Sequence, residues 1–228
     1  LLHRDYIAKR ATLIRRETSI LAPVVHGLPP GTATPKRAPD NQKGRPGTSH
    51  ISIVDGSGNA VSMTTTIEGA FGSQLMVRGF LLNNELTDFS FLPNKDGQPV
   101  ANRAAPRKRP RSSMAPTIVF NADNSLRLVV GSPGGSRIIG YVAKTLVAVL
   151  DWDLDIQKAI DLGHVVNRNG ATDFEAGTAA EKFVPALKAL GHKTRIRDLN
   201  SGLHGIEIVA GKLRGGADPR REGVARGD

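Results

Sequence analysis

Cysteine is absent from all 228 residues, which excludes disulfides and thiolate metal sites and leaves the redox compartment open. Aromatic residues make up only 4% of the chain. No apolar run approaches the roughly 18 residues that a membrane span needs. There is no internal repeat and no low-complexity tract. What is present is an ordinary globular balance of 39% hydrophobic and 23% charged residues, in a chain long enough for one domain with a real core. The net charge of +10 is local: Arg103, Arg107, Lys108, Arg109 and Arg111 crowd one stretch, and Arg214, Arg220, Arg221 and Arg226 mark the tail. Without interleaved rings to stack on bases, these stretches read as solvated loops, and no nucleic-acid partner is expected. The chain starts Leu1-Leu2-His3, which reads as the C-terminal piece of a longer protein whose signal peptide, if any, lies upstream.

The apolar spacing of Tyr6, Ile7, Ala11 and Ile14 predicts a helix over residues 4–18. Residues 22–47 hold six prolines and four glycines, the composition of an exposed linker open to cleavage. Alternation then predicts a hairpin, His50–Val54 and Asn59–Thr66 around Asp55-Gly56-Ser57-Gly58. Phe80-Leu81-Leu82 is a short apolar run. A second hairpin joins Thr117–Phe120 to Leu126–Val130 through Asn121-Ala122-Asp123-Asn124. A glycine-rich turn, Gly131–Ser136, leads into a helix over residues 137–150, where Ile138, Val142, Leu146 and Val149 recur at helical spacing. Asp155 is placed to cap a short helix over Ile156–Leu162, and another helix is expected over Pro185–Leu190, stopped by Gly191. Thr194–Arg197 and Gly205–Val209 are the last clear strands. This order predicts a layered α+β domain.

Thr48 follows the linker and opens the first strand. A threonine hydroxyl is a poor nucleophile without a base beside it. Breaking the Gly47–Thr48 bond would give Thr48 a free α-amine next to its own hydroxyl. Gly134 and Gly135 allow backbone N–H groups to approach a developing oxyanion at the start of the following helix; a turn that needs glycine for its dihedrals is the alternative. Ser112 and Ser113 can donate two hydrogen bonds to a carboxylate, or simply turn the loop into the strand at Thr117. Asn83-Asn84-Glu85 with Asp88 form a polar cluster that could hold an ammonium group or serve as turn residues. His50 shares a strand face with Thr48 and either pairs with a hydroxyl or packs. His164, His192 and His204 match no metal spacing, so neither metal nor cofactor is assigned.

Together these residues resemble one family, the γ-glutamyltransferases or glutathione hydrolases. The matching runs, in family order, are Thr48–Asp55, Asn59–Ser62 with Thr64–Ile67, Phe71–Ser73, Leu81–Glu85 with Asp88–Ser90, Arg109–Thr117, Gly131–Ile138 and Ala217–Arg221. The resemblance covers essentially the whole chain. It implies the four-layer αββα sandwich of the N-terminal-nucleophile hydrolases. It makes residues 1–47 the end of a large subunit and 48–228 a small catalytic subunit cut from the same precursor. By the same resemblance, Thr48 is the nucleophile for cleavage and for attack on γ-glutamyl amides such as glutathione. Thr66 would orient its hydroxyl, Gly134 and Gly135 form the oxyanion hole, Ser112 and Ser113 bind the substrate α-carboxylate, and Glu85 and Asp88 its α-amino group.

Two departures stand out. Glu68 occupies a position where the family carries an asparagine that contacts the substrate amine. The segment Phe91–Arg107 lies where many bacterial members have a lid, and its altered sequence favours water over an amine as acyl acceptor. The resemblance also places the family's carboxylate-binding arginine in the large subunit, and a periplasmic or secreted location is expected from it. The rival readings are a related acylase acting on glutaryl or β-lactam side-chain amides, and a non-catalytic basic binding module built on Arg103–Arg111.

Overall fold

The computed structural model describes residues 2–20, 23–32, 36–40 and 47–227. Its first helix, α1 (Arg4–Ala11), is shorter than the spacing predicts. None of its residues is buried, so nothing rewards extending the amphipathic face to Ile14, and Thr12 folds its hydroxyl back onto the Lys9 carbonyl. The linker is also less uniform than its composition suggests. Residues 23–32 are mostly exposed, but Ala38 is buried and forms a parallel bridge to Val100. Linker positions 22, 33–35 and 41–46 lie outside the described residues.

Strands β1 (Thr48–Val54) and β2 (Ala60–Thr66) form the expected hairpin, in a register that sets Thr48 opposite Thr66. Two-residue ladders follow, β3 (Met76–Val77) with β4 (Phe80–Leu81) and β5 (Asn94–Lys95) with β6 (Gln98–Pro99). Strands β7 (Thr117–Phe120) and β8 (Leu126–Gly131) make the second hairpin. Then come α2 (Ile138–Leu150), α3 (Ile156–Asp161), β9 (Val165–Asn167), β10 (Thr172–Glu175), α4 (Val184–Ala189), β11 (Thr194–Arg197), β12 (His204–Val209) and β13 (Lys212–Ala217). Asp155 caps α3 as expected, accepting from the Lys158 N–H at 2.9 Å. Beyond the two-residue strands β3, β5 and β6, three longer strands escape the sequence reading. β9 is too short for a pattern, β10 is buried despite two polar ends, and β13 carries two glycines.

The central sheet runs β13-β12-β8-β7, all antiparallel. Helices α2 and α3 cover one face, and Leu128, Val130, Ile138, Tyr141, Val142, Ile156 and Ile160 form the core between them. The β1-β2 hairpin stacks on the other face through polar contacts. Ser62 donates to the Val130 carbonyl at 3.1 Å and Ser52 to the His204 carbonyl at 3.3 Å. The chain is thus an α+β fold layered as hairpin, sheet and helices. The hairpin's outer face carries Ile51, Ile53, Val61 and Met63, each between 43% and 48% exposed. A parallel pair, β10 and β11, with β9 antiparallel beside it, flanks the helices.

Candidate active site

The hairpin register brings the two threonine hydroxyls together. Thr48 Oγ1 lies 3.2 Å from Thr66 Oγ1, and Thr66 Oγ1 lies 3.2 Å from the Gly47 carbonyl oxygen. A second donor, the Ile67 N–H, reaches the same carbonyl at 3.4 Å. Proton donation therefore runs from Thr48 to Thr66 to the carbonyl of the bond preceding Thr48. The Glu68 N–H closes the ring on Thr66 at 2.9 Å. Glycine at 47 is a steric requirement here, because a Cβ would collide with the Glu68 carbonyl.

One cleft gathers most of the residues singled out from sequence. Thr48, Thr66, Glu68, Glu85, Asp88, Ser112, Ser113 and Gly135 line it, along with Arg111, Met114, Ser136 and Ile138. It is an open cleft whose empty space, about 460 Å³, runs out into solvent. Gly134 lies one residue beyond this lining. Both glycines have positive φ, 138° and 56°, and a Cβ on Gly134 would meet the Tyr141 ring at 2.6 Å. The turn thus needs glycine for its dihedrals and also borders the pocket.

Three carboxylates share one wall. Glu68 is 5% exposed and accepts from the Asn84 amide at 2.9 Å. Asn84 also accepts from the Gly69 N–H and bonds Thr87, so it braces the wall. Glu85 and Asp88 sit on one short 3-10 turn and share a hydrogen bond. Burial, then the neighbouring charges of Asp88 and Glu68, raise the Glu85 carboxyl above the usual carboxylate range. Burial and Glu68 do the same to Asp88, against the opposing pull of Arg111. Among the described residues, Glu85 Oε2 is buried without a hydrogen-bond partner. Burial and mutual repulsion make these carboxyls keep their protons to higher pH, and a small cationic group beside them relieves that repulsion. Glu68 itself holds φ 67°, a region where asparagine is tolerated better than glutamate.

Ser112 and Ser113 line the same cleft from the loop before β7, where the Met114 N–H donates to Ser112 Oγ at 3.2 Å. His50, by contrast, lies under the hairpin and away from the cleft lining. Its Nδ1 pairs with Thr64 Oγ1 at 2.8 Å and its Nε2 with Ser52 Oγ at 3.1 Å. Burial and the nearby His204 lower it to about 4, so the ring is neutral and structural. Sequence reasoning missed Asn102. Its amide donates to Asp40 at 2.8 Å and to the Asp88 carbonyl at 2.6 Å, and its oxygen accepts from the Arg111 N–H at 2.9 Å. No local pattern marks it, since its partners come from three separate segments.

A family model of gamma-glutamyltranspeptidase matches residues 1–227. The chain belongs to this family. The glutathione hydrolase proenzyme of Bacillus subtilis strain 168 is 36% identical over 240 residues, spanning 100% of this chain and 39% of the relative. The chain therefore spans about two-fifths of the length of such relatives. Among solved structures, gamma-glutamyltranspeptidase from Pseudomonas nitroreducens complexed with L-DON is 36% identical with a TM-score of 0.67, covering 78% of this chain and 98% of that one. A cephalosporin acylase from Bacillus halodurans is 26% identical with a TM-score of 0.65, covering 75% of this chain and 32% of that one. These neighbours carry the N-terminal-nucleophile hydrolase fold.

Proposed function

We propose that the full-length protein is an autoprocessed N-terminal-threonine amidase that cleaves γ-glutamyl amides such as glutathione. The observation that carries this reading is the single cleft joining the Thr48–Thr66 hydroxyl pair to the Glu68, Glu85 and Asp88 wall and to Ser112 and Ser113. The two ends of the cleft match the two ends of a γ-glutamyl group, a reactive carbonyl and an amino acid.

In the uncut chain, Thr48 Oγ adds to the Gly47 carbonyl carbon. The charge that grows on that oxygen meets donors already in place, Thr66 Oγ1 and the Ile67 N–H. Collapse breaks the Gly47–Thr48 C–N bond, and the nitrogen takes up a proton to become a free α-amine. Water then hydrolyses the resulting ester. The freed amine serves as base for the same hydroxyl in turnover. Thr48 Oγ attacks the γ-carbonyl, the N–H groups of Gly134 and Gly135 hold the oxyanion, and the amine leaves with a proton. Water, favoured by the altered segment before Arg107, releases glutamate. Residues 48–228 would be the small subunit. The apolar outer face of the hairpin suits the rest of the precursor as its partner, and the solved Pseudomonas chain spans a similar share of this one.

The acylase neighbour supports a second reading, in which a glutaryl side chain replaces γ-glutamyl. Only a γ-glutamyl group brings an ammonium, and three clustered carboxylates favour that ligand. Rates on γ-glutamyl and glutaryl anilides separate the two readings. The test of mechanism is Thr48→Ala in the full-length protein, expected to stay uncut and inactive; cleavage in that variant would sink the proposal.

A further inference from the structure

The turn between β9 and β10 sits against the start of α2. Packing there is close, since a Cβ on Gly140 of α2 would meet the Val166 side chain of β9 at 2.9 Å. Asn167 staples the turn. Its Oδ1 accepts from the Asn169 N–H at 2.8 Å, and its Nδ2 donates to the Gly170 carbonyl at 3.0 Å and to Thr172 Oγ1 at 2.9 Å. Arg168 is thereby held beside the glycine-rich turn that enters α2, and its Nη1 donates to Ser136 Oγ. Ser136 lines the cleft directly after Gly135. Because its oxygen accepts from Arg168, the Ser136 O–H is left to donate elsewhere.

This corner of the molecule is short of anions. Arg137 and Arg195 both bind Asp173, each at 2.8 Å. Among the described residues, Arg137 Nε is buried without a hydrogen-bond partner, and Arg168 makes no bond beyond that to Ser136. Burial, then the charges of Arg137, Arg195 and Arg197, lower the Arg168 guanidinium below its usual value, and Asp173 alone opposes them. The acidic wall acts elsewhere: Glu85 and Asp88 feel each other, Glu68, Arg111 and Asp40, but not Arg168. The cleft therefore has an anionic end at that wall and a separate cationic lip beside Gly134 and Gly135.

We propose that Arg168 and Ser136 form the leaving-group subsite, binding a carboxylate carried by the amine that departs from the γ-glutamyl carbonyl. The proposal rests on the γ-glutamyl reading above. In that reading the amino-acid end of the donor lies against Glu85, Asp88 and the serine pair, and its carbonyl lies between Thr48 and the Gly134–Gly135 turn. The amine leaves on the far side of that carbonyl from the acidic wall. Ser136 is the next lining residue after the oxyanion glycines, and Arg168 stands one hydroxyl behind it. In glutathione the departing amine belongs to a dipeptide that ends in a carboxylate. A guanidinium with unused nitrogens and a hydroxyl with a free proton suit that group.

The test uses the full-length, processed protein with two donors, glutathione and its C-terminal amide, which differ only in that carboxylate. The wild type is expected to favour glutathione in kcat/KM by about 10-fold, the size of one charged hydrogen bond. Arg168→Leu should remove this preference, bringing the ratio of the two kcat/KM values to about 1. Arg168→Lys, which keeps the charge without the fork, should retain part of the preference, and it carries the test if the leucine variant does not fold. A merely structural role would slow both donors alike and leave the ratio at its wild-type value. That outcome, or equal kcat/KM for the two donors in the wild type, would overturn the proposal. No turnover of either donor or of a γ-glutamyl anilide by the wild type would instead overturn the functional reading on which it rests.

Discussion

Two groups of carboxylates in this molecule, one buried in the scaffold and one largely half-buried in the cleft, are treated in opposite ways. In the scaffold, Asp173 receives Arg137 and Arg195, each at 2.8 Å. Arg220 grips Glu175 with two nitrogens, reaches Asp218 at 3.1 Å and donates to the Ile160 and Leu162 carbonyls. In the cleft, Glu68, Glu85 and Asp88 crowd one another instead. Burial opposes charge in both places. In the scaffold, hydrogen bonds from arginines or from Ser201 outweigh it and bring Asp173 and Asp218 below the usual range. In the cleft, like charges add to it and push Glu85 and Asp88 up. Paired carboxylates hold the fold together, whereas mutually repelling ones store affinity for a ligand's positive group.

The contrast breaks most visibly at Arg220. Arg220→Met would strand Glu175 and Asp218, which are 9% and 0% exposed, and should cost about 3–5 kcal/mol in denaturant unfolding. The matching change in the cleft should do the reverse. Glu85→Gln with Asp88→Asn relieves repulsion, so stability should hold or rise slightly. KM for γ-glutamyl substrates should climb about 100-fold as two charged contacts to the amine vanish. A fall in stability comparable to that of Arg220→Met would erase the distinction between the two groups.

Acidification sharpens the comparison. Folded-state values of Glu85 and Asp88 lie above unfolded ones, so their contribution to stability is greatest at low pH and lost as pH rises through the folded values. Asp173 and Asp218 contribute above the unfolded range, and lose that contribution as pH falls through their depressed folded values. His50 adds a second acid-side loss, because the folded ring stays neutral from 6.5 down to about 4 while the unfolded one charges. On lowering the pH from 7, KM should therefore begin to rise before ordinary carboxylates titrate, and the fold should weaken over the His50 window. A pH series of KM and of unfolding midpoints checks both. The smallest effect is expected at Glu68→Asn. It relaxes a glutamate held at φ 67° and removes a charge from the wall, for a gain of about 1 kcal/mol and a modest rise in KM.

How much of this was written in the sequence depends on range. The Thr48–Thr66 pairing follows from one hairpin whose turn and alternation are local, and Asp155 capping is local too. The helix over residues 4–18 failed because periodicity predicts an apolar face but not a surface to bury it. Strand β10 hid because its buried Asp173 and Glu175 are neutralised by arginines far along the chain. Asn102 and the Asp40–Arg111 ion pair were illegible for the same reason. Each joins segments whose meeting is decided by tertiary packing, and single residues of these types carry no pattern. The serine pair and the acidic turn were visible as compositions, but only the fold put them across one cleft.

The central claim is that Thr48, with its own amine freed, carries the acyl group. Intact-mass measurement of the processed protein, quenched in acid during turnover of a γ-glutamyl anilide, tests it directly. The account predicts a fragment beginning at Thr48 whose mass rises by one glutamyl group, with the added mass placed on Thr48 by fragmentation. Steady turnover without any such adduct, or an adduct on another residue, would contradict it.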